Sequence, residues 1–430
     1  MEVLIMNMIF DGCDTTLLAK KYGTPLYIIS QSTINERIES IQQNFLKKYP
    51  NTKAVYASKA FLPMAMCKII QRGGLGLDVV SGGELYIALK SGFDPKMIEF
   101  NGNNKNYKEL ELAIKNDVGR IIVDNLLEIK WIEELSNKYN KKTYILFRIV
   151  PDIETDTHDY ISTGHKSSKF GITLENNFFF NTFEQVMKSN NINIKGIHFH
   201  IGSQLHDNKS HLNATRKTLH LIKDIKMKYG YDIEELNIGG GFGIKYTDED
   251  PVKPIEYFID PIMNLIDSFC LDHRLERPMI ITEPGRWIIG EAGMTLYTIG
   301  SIKENGQTKY AAIDGGMTDN IRPSLYQAKY AACLANKIDQ SPDEIITLSG
   351  KFCESSDILI KDIKLPKIAT GDLLAVYATG AYTYSMASNY NGQPIPPVVL
   401  VNKGQDHLIV KGQTYDDLII NNLIPKYLEV

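Results

Sequence analysis

Short β-rich apolar runs alternate with amphipathic stretches of helical period between about residues 53 and 285, and this alternation constrains the fold more than any other feature. Eight runs are strand candidates, namely KAVYAS (53–58), LGLDVV (75–80), MIEFNG (97–102), RIIVDN (120–125), TYILFRIV (143–150), IKGIHFHI (194–201), ELNIGG (235–240) and MIITEP (279–284). Strands alternating with helices favour right-handed βαβ units and a parallel sheet. Eight units over about 230 residues predict a TIM barrel, with an open doubly wound sheet as the alternative.

The remaining sequence has a different pattern. Residues 293–430 contain β-type runs such as MTLYTIGSI, EIITLSGKFC and PPVVLVN, joined by turns that contain Gly and Pro. GTPLYIIS (23–30) is a further strand candidate that precedes the barrel. We therefore predict an α/β protein whose TIM barrel spans 34–292. Its second, mostly antiparallel β domain is built from both chain ends, 1–33 and 293–430.

Two local features of the barrel region carry predictions of their own. Ser81 before GGELYIALKSG predicts a helix N-cap, with Glu84 three residues later as the capping-box partner. The stretch 151–193 is a long polar excursion after the fifth strand that carries His158, His165 and Lys169. Long loops of this kind often act as lids, although a solvated loop without a role is the alternative.

Charge and cysteine content exclude several classes of protein. The 430 residues are 43% hydrophobic, and 47 Lys and Arg against 51 Asp and Glu give a net charge of −4, without the basic field of a nucleic-acid-binding protein. No apolar run approaches the ~18 residues of a membrane span, and the acidic second residue argues against a signal peptide. The five cysteines form no CxxC pair, which favours a reducing compartment. We expect a cytoplasmic protein that binds neither nucleic acid nor membranes.

Reactive side chains gather where the predicted strands end. A TIM barrel carries its active site at the carboxyl ends of its strands. Those ends supply Lys59, Asp78, Asn101, Asp124, Arg148, His200, Gly239 to Gly241, and Glu283 with Arg286. Each has a purely structural alternative, but together they predict a site in the barrel mouth.

Lys59 and the glycine run GGGFG (239–243) suggest a cofactor that has an aldehyde and a phosphate. Lys59 follows a strand, and a partly desolvated lysine there would form an imine with an aldehyde, whereas a solvated lysine is the alternative. The glycine run could expose backbone N–H groups to a phosphate, with Ser203 adding a hydroxyl, or could be an ordinary turn.

The HxH pair and the EPGR segment complete the polar set. His198 and His200 are two residues apart on one predicted strand, so their side chains face the same side. The pair could bind zinc, but no acidic residue or cysteine lies near it at the spacing typical of zinc ligands, so we predict no metal. Stacking on an aromatic cofactor, or core packing, fits better.

Glu283 could protonate a pyridine nitrogen and Arg286 hold an anion, or the two could form a local ion pair.

Three further clusters lie in the predicted β domain. RPSLY (322–326) supplies an arginine and a tyrosine, CESSD (353–357) places a thiol beside a carboxylate, and GAYTYSMASNYNG (380–392) is rich in small and aromatic residues. Cys353 alone is more typical of a buried small hydrophobe than of a catalytic group. These clusters contribute to a site only if the β domain covers a barrel mouth.

Nine motifs in register resemble the bacterial diaminopimelate decarboxylases. They are YASKAF, GLGLDVVSGGEL, SSKFG, HFHIGSQ, NIGGGFGIKY, EPGR, DGGMTDNIRPSLY, CESSDIL and GAYTYSMASNYN, spread over about residues 20 to 420. The resemblance implies a pyridoxal-phosphate enzyme with an alanine-racemase-like fold. Two positions depart from the family pattern, since Ser356 replaces a glycine and Thr383 with Tyr384 replace the usual residues after Tyr382.

The resemblance also implies a role for each matching residue. Lys59 would hold the cofactor through an imine, His200 would stack on its ring, Asp78 would lie near its lysine end, and Glu283 would bind the pyridinium nitrogen. The phosphate would be held by Ser203, Gly240, Gly241, the backbone of Pro284, Gly285 and Arg286, and the Tyr382 hydroxyl.

Substrate and assembly follow from the same resemblance. Substrate would be bound by Arg286, Arg322, Tyr326, Glu354 and Tyr382, with Cys353 as the proton donor. The family forms homodimers with shared sites, so Cys353 and Glu354 would come from the partner subunit. Two arginines suit the distal carboxylate of diaminopimelate, whereas lysine and ornithine present only an ammonium there. Carboxynorspermidine decarboxylation and a non-catalytic binding protein are the remaining alternatives.

Overall fold

The computed structural model describes residues 6–153 and 168–429 of the chain. It divides into two compact units. The barrel unit comprises Asn35–Ile244 and Pro251–Ile288, and the β unit comprises Met1–Ile34, Lys245–Asp250 and Ile289–Val430. Within the described residues, no helix is both long and apolar enough to span a membrane.

The N-terminal elements lead from the β unit into the barrel. In chain order they are β1 (Ile9–Phe10), β2 (Cys13–Asp14), α1 (Thr15–Tyr22), β3 (Leu26–Ser30) and α2 (Gln31–Ile41). Asp14 caps α1 by accepting from the backbone N–H groups of Thr16 and Leu17. All five residues of β3 are buried, as expected of a central strand.

Eight parallel strands close into a barrel, which confirms the predicted TIM architecture and excludes the open sheet. They are β4 (Thr52–Ala57), β5 (Gly76–Val79), β6 (Ile98–Phe100), β7 (Arg120–Val123), β8 (Thr143–Arg148), β9 (Ile192–His198), β10 (Glu235–Asn237) and β11 (Met279–Thr282). Each pairs in parallel with its neighbours, and β11 returns to β4. All eight lie within the predicted runs or within two residues of them. Most end before the polar residue or glycine that closes the run, so those residues reach the barrel mouth.

Helices separate the barrel strands. They are α3 (Met64–Arg72), α4 (Gly82–Lys90), α5 (Tyr107–Lys115), α6 (Leu126–Tyr139), α7 (Phe178–Met187), α8 (Lys209–Tyr229), α9 (Ile255–His273) and α10 (Arg286–Ile289). Ser81 caps α4 by accepting from the Glu84 N–H at 3.2 Å, which confirms the predicted N-cap. The predicted capping box is wrong, because the Glu84 carboxylate accepts from the N–H of Val80, not of Ser81.

The polar excursion after β8 is shorter than predicted. Helix α7 occupies 178–187, where Phe179 and Phe183 are buried and contact Phe147 of β8. The prediction of a continuous loop over 151–193 is therefore wrong for this part, because a sequence with three consecutive phenylalanines can bury an apolar helix face. His158 and His165 lie outside the described residues, and the lid role stays a prediction.

The β unit is built around one mostly antiparallel sheet that uses both chain ends, as predicted. Its later elements are β12 (Gly293–Asn305), β13 (Thr308–Ile313), α11 (Arg322–Tyr326), β14 (Ala332–Leu334), β15 (Glu344–Ser349), β16 (Ile358–Leu365), β17 (Leu373–Tyr377), β18 (Val398–Asn402), β19 (Gln405–Val410) and α12 (Tyr415–Ile419). The sheet order is β16-β15-β13-β12-β3-β18-β19, with β17 also on β12 and β14 on β17. N-terminal β3 lies between β12 and β18, so the two chain ends share one core.

Candidate active site

The carboxyl ends of the barrel strands bring the predicted polar residues to one edge of the barrel. Lys59 lies in a single 3₁₀ turn, Ser58–Ala60, directly after β4, and Asp78 is the penultimate residue of β5. Asn101 and Asp124 follow β6 and β7, and Arg148 ends β8. Because parallel strands end on the same side of a barrel, these side chains share its mouth.

Lys59 is half-buried, between the buried residues Ser58 and Ala60. Its ammonium acts electrostatically on several groups of the mouth. It favours the ionised forms of Asp78 and Glu283 and disfavours protonation of His200. The lysine therefore lies within electrostatic range of the other predicted cofactor-binding residues of the barrel.

Asp78 is a buried carboxyl group with an unused oxygen. It is 1% exposed, and its Oδ1 has no hydrogen-bond partner among the described residues. Burial, and next the nearby carboxylate of Glu283, raise the pKa of Asp78 well above its ordinary value. A buried oxygen without a partner is costly, so this atom is suited to contact a bound group.

Glu283 follows β11 and is bound by side chains of β9 and β10. Its Oε1 accepts from the Asn237 amide at 2.8 Å and lies 2.9 Å from Nε2 of His198. Burial, and next the charge of Glu99, raise the pKa of Glu283 to about 7. This carboxyl group can therefore gain or release a proton near neutral pH.

The two histidines of the HxH pair have different partners. Strand β9 ends at His198, so the prediction that one strand carries both is wrong. Nδ1 of His200 accepts from the N–H of Gly240 at 3.3 Å, whereas His198 contacts Glu283. Burial lowers the pKa of both imidazoles well below the ordinary value of histidine. The second cause is a nearby cation, which is Arg148 for His198 and Lys59 for His200. Both rings are therefore neutral at physiological pH.

The glycine run and Arg286 form a compact corner of the mouth. A Cβ on Gly240 would lie 2.2 Å from the Glu283 carbonyl oxygen, so only glycine allows this close backbone approach. Gly241 has φ +100°, which favours glycine for conformational reasons. The buried Arg286 guanidinium donates to the Ser203 hydroxyl from Nη2 at 2.9 Å and from Nε at 3.2 Å. A hydroxyl, an arginine and glycine N–H groups are a donor set that suits an anion.

Pro284 and Gly285 join this corner to the rest of the barrel. Both are buried, and a Cβ on Gly285 would lie 2.9 Å from that of Ala57 in β4. Backbone atoms of this segment can therefore approach a ligand closely. The barrel unit thus brings together the predicted residues Lys59, Asp78, His200, Ser203, Gly240, Gly241, Glu283, Pro284, Gly285 and Arg286.

Sequence reasoning missed the polar layer below Glu283. Glu99 of β6 is fully buried, and its carboxylate accepts from Lys53 and from the Asn237 amide, each at 2.8 Å. The sequence does contain a sign of this polar layer. MIEFNG in β6 and ELNIGG in β10 each place a polar residue, Glu99 and Asn237, inside a buried apolar run.

The β unit holds the other predicted residues. Arg322 begins α11 and is buried, with its guanidinium 4.7 Å from the ring centre of Tyr246 and bonded to the Tyr330 hydroxyl. Tyr326 ends α11 and is half-buried. Tyr382 is also half-buried and has φ +60°, an uncommon conformation for a tyrosine.

Cys353 and Glu354 are both exposed. The N–H of Cys353 donates to Asn391 at 3.1 Å, which fixes the backbone beneath the thiol.

The two departures from the family pattern are accommodated locally. Ser356 lies outside the positive-φ region, so its backbone does not require glycine, and the buried Thr383 hydroxyl donates to the Thr379 carbonyl.

No group of three or more His, Cys, Asp or Glu side chains within the described residues is arranged to hold a metal ion. All five cysteines are free thiols.

Comparison with known proteins gives consistent results. Residues 33–290 match the family model of the pyridoxal-dependent decarboxylase, pyridoxal binding domain. The chain is 46% identical to the diaminopimelate decarboxylase of Bacillus subtilis, covering 95% of this chain and 93% of the relative. It is also 46% identical to that of Bacillus methanolicus, covering 93% of each chain.

A solved structure of diaminopimelate decarboxylase from M. jannaschii in complex with L-lysine superposes with a TM-score of 0.93 at 35% identity, covering 99% of this chain and 98% of the other. The enzyme from Helicobacter pylori, also complexed with L-lysine, gives 0.86 at 32% identity, covering 95% and 98%.

Proposed function

Since the chain belongs to the diaminopimelate decarboxylase family, we propose that it removes CO2 from the D centre of meso-2,6-diaminopimelate and yields L-lysine, the last step of lysine biosynthesis. The observation that carries the proposal is Glu283, a buried acid whose pKa is raised to about 7, near a half-buried lysine and a glycine-lined anion corner. An arginine in place of Glu283, as in alanine racemases, would weaken the electron sink and favour racemisation.

The barrel unit fits pyridoxal phosphate on two structural grounds. Asp78 has a buried oxygen that no described residue binds, as expected where a bound group completes the contacts. Gly240 packs so closely on the Glu283 carbonyl that no side chain fits there, so this strand end presents backbone to a phosphate. We assign Lys59 as the residue that holds the cofactor covalently, with His200 against the ring and Asp78 near the lysine.

The anion corner would hold the phosphate. Ser203 supplies a hydroxyl that already accepts from Arg286, so the pair is oriented before the ligand arrives. The backbone of Gly240 and Gly241, the backbone of 284–286 and the hydroxyl of Tyr382 complete our assignment. The Gly240 N–H, which donates to His200 at 3.3 Å, would exchange that partner for the phosphate. Charge-assisted hydrogen bonds of this kind fix an anion in one orientation.

Glu283 would keep the ring nitrogen protonated. Pyridoxal phosphate, when bound, accepts the electron pair left on the α-carbon by departing CO2, and a protonated ring nitrogen strengthens this sink. Glu283 stays in position because Asn237 and His198 bind its Oε1. Its raised pKa means that the buried carboxylate is stabilised by a proton beside it, which a protonated ring nitrogen would supply.

Substrate recognition would use the groups of the β unit together with Arg286. Diaminopimelate carries an ammonium and a carboxylate at its far end, and we assign Arg286 and Arg322 to the carboxylate and Glu354 to the ammonium. Tyr326 and Tyr382 complete the substrate contacts. Arg322 is supported by its packing, because it lies against the rings of Tyr246 and Tyr330 and has a fixed orientation.

Cys353 would return a proton to the α-carbon after CO2 departs. A thiol can act as a general acid when it is positioned at the reacting atom. Cys353 and Glu354 are exposed in the single chain, which supports a cytoplasmic homodimer in which each subunit gives these residues to its partner's site. Five free thiols agree with a reducing compartment.

The chirality of the product tests the proposal. Purified protein with added pyridoxal phosphate is incubated separately with meso- and LL-diaminopimelate, and lysine is resolved by chiral chromatography. We expect L-lysine from the meso isomer and little product from the LL isomer, which has no D centre. D-lysine from the meso isomer would contradict the assignment of the reacting centre.

A further inference from the structure

A buried charge lies behind the proposed partner of the ring nitrogen. Glu99 is 0% exposed in the middle of β6, beside Asp78 in the register of β5 and β6. Its Oε1 accepts from the ammonium of Lys53 at 2.8 Å, so the two side chains form an ion pair in the barrel interior. None of the roles proposed above uses this ion pair.

Asn237 connects Glu99 to Glu283. Its side-chain nitrogen donates to Oε2 of Glu99 and to Oε1 of Glu283, both at 2.8 Å. The orientation of the amide is fixed, because its Oδ1 accepts from the N–H of Gly239 at 2.9 Å. Both hydrogens of one amide are therefore committed to two buried carboxyl groups.

The other groups around Glu283 come from four further segments of the barrel unit. His198 on β9 is hydrogen-bonded to it, and Asp78 on β5, Lys59 after β4 and Arg148 on β8 act on it electrostatically. His198 is neutral, and the cations of Lys59 and Arg148 favour the ionised carboxylate. The charge of Glu99 acts in the opposite direction and favours the protonated form of Glu283. Only burial raises the pKa of Glu283 more than Glu99 does.

We propose that Glu99 is a positioning residue, which through Asn237 fixes the orientation of Glu283 and through its charge stabilises the proton that Glu283 shares with the cofactor's ring nitrogen. This inference rests on the proposed function, because it needs pyridoxal phosphate bound at Glu283. The negative charge lies one amide away from Glu283 and is shielded from solvent, so its effect on a proton at that site is large.

The test is the protonation state of the ring nitrogen in the loaded protein. Pyridoxal phosphate labelled with ¹⁵N at the ring is bound to the wild type, to Glu99→Gln and to Glu235→Gln. The ¹⁵N chemical shift is then followed against pH. Glu235 is the matched control, because it is a buried carboxylate on β10, two residues before Asn237, and its partner is Arg120. Steady-state kcat and KM are measured on the same samples.

We expect the nitrogen of Glu99→Gln to lose its proton at a pH lower by about one unit or more, since a buried negative charge has been removed. In the same variant kcat should fall about tenfold with little change in KM, as expected of an interaction that acts on the transition state. Glu235→Gln should keep the wild-type midpoint and kcat. An unchanged midpoint in Glu99→Gln, or an equal shift in both variants, would overturn the inference.

A second variant guards against misfolding. Glu99→Gln leaves Lys53 without its partner, so the double variant Lys53→Met/Glu99→Gln removes both charges. It should still show a lowered midpoint, by less than the single variant because the Lys53 cation is removed as well. A wild-type midpoint in the double variant would also overturn the inference. Wild-type protein that binds no pyridoxal phosphate would overturn the proposed function itself, which separates the two failures.

Discussion

Nε2 of His198 lies 2.9 Å from Oε1 of Glu283 inside the barrel. Burial keeps the imidazole neutral, and the pKa of Glu283 is raised to about 7, so the pair holds one proton near neutral pH and the carboxyl group is its main site. Asn101 also faces Nε2, at 3.4 Å, with its own Oδ1 bound by Arg148. Glu283 is therefore oriented and able to hold a proton in the protein without cofactor.

Removal of the Glu283 charge should change the pH dependence of stability. The pKa of Glu283 rises from an ordinary 4.5 to about 7 on folding, so its stabilising contribution is present below about pH 4.5 and is lost as pH rises through 7. Glu283→Gln keeps the hydrogen-bond acceptor but cannot ionise. Urea unfolding of the cofactor-free proteins should show the variant more stable than the wild type at pH 8, on the order of 3 kcal/mol, relative to their difference at pH 4. A difference that is the same at both pH values would contradict the raised pKa.

Lys59→Ala should remove the absorbance of the covalently bound cofactor and lower turnover by about 1,000-fold or more, because Lys59 is the one residue assigned a covalent bond to the cofactor. Absorbance spectra and lysine formation are the two measurements. Lys96→Ala is the control, since Lys96 is an exposed lysine that precedes β6 at the opposite end of the barrel. Full activity in Lys59→Ala would refute the assignment.

Cys353→Ala should bind pyridoxal phosphate with unchanged affinity and lose about 100-fold in turnover, since it removes a proton donor and no cofactor contact. The comparison is with Cys333→Ala, which alters a half-buried thiol bonded to Tyr377. Cofactor titration and turnover are measured for both. Equal turnover of Cys353→Ala and wild type would show that another group supplies the proton.

Gly240→Ala should weaken cofactor binding by about 10- to 100-fold, because its Cβ would lie 2.2 Å from the Glu283 carbonyl oxygen and force this corner apart. Gly83→Ala in α4 is the matched control, since its Cβ would meet only the Ser81 hydroxyl, at an ordinary 3.7 Å. Equilibrium titration of cofactor into both variants provides the measurement. A Gly240→Ala variant with wild-type affinity would show that the corner does not hold the phosphate.

The sequence predicted most of the barrel because each of the eight apolar runs carries a polar residue or glycine at or near its carboxyl end. In a parallel barrel each such end reaches the mouth, so reading the ends in order gives the candidate site. The pattern could not show which side chains touch. The contact of His198 with Glu283 and the amide of Asn237 between two carboxyl groups depend on strand register, which only the folded barrel fixes.

The strands of the β unit were harder to predict from the sequence. Strand β16 was missed because Lys361 and Asp362 interrupt its apolar residues, and Asp362 has φ +54° where the pairing with β15 shifts register. Strand β19 is partly exposed at the end of the sheet and carries charged residues, as edge strands often do. Neither gave the continuous apolar signal of the buried strands.

The most direct test of the central claim is formation of lysine and CO2 from meso-diaminopimelate by purified protein with added pyridoxal phosphate, with L-lysine and L-ornithine as parallel substrates. We predict turnover of diaminopimelate alone, since two arginines are assigned to a distal carboxylate that the other two substrates lack. Release of CO2 from lysine or ornithine, with none from diaminopimelate, would contradict the account.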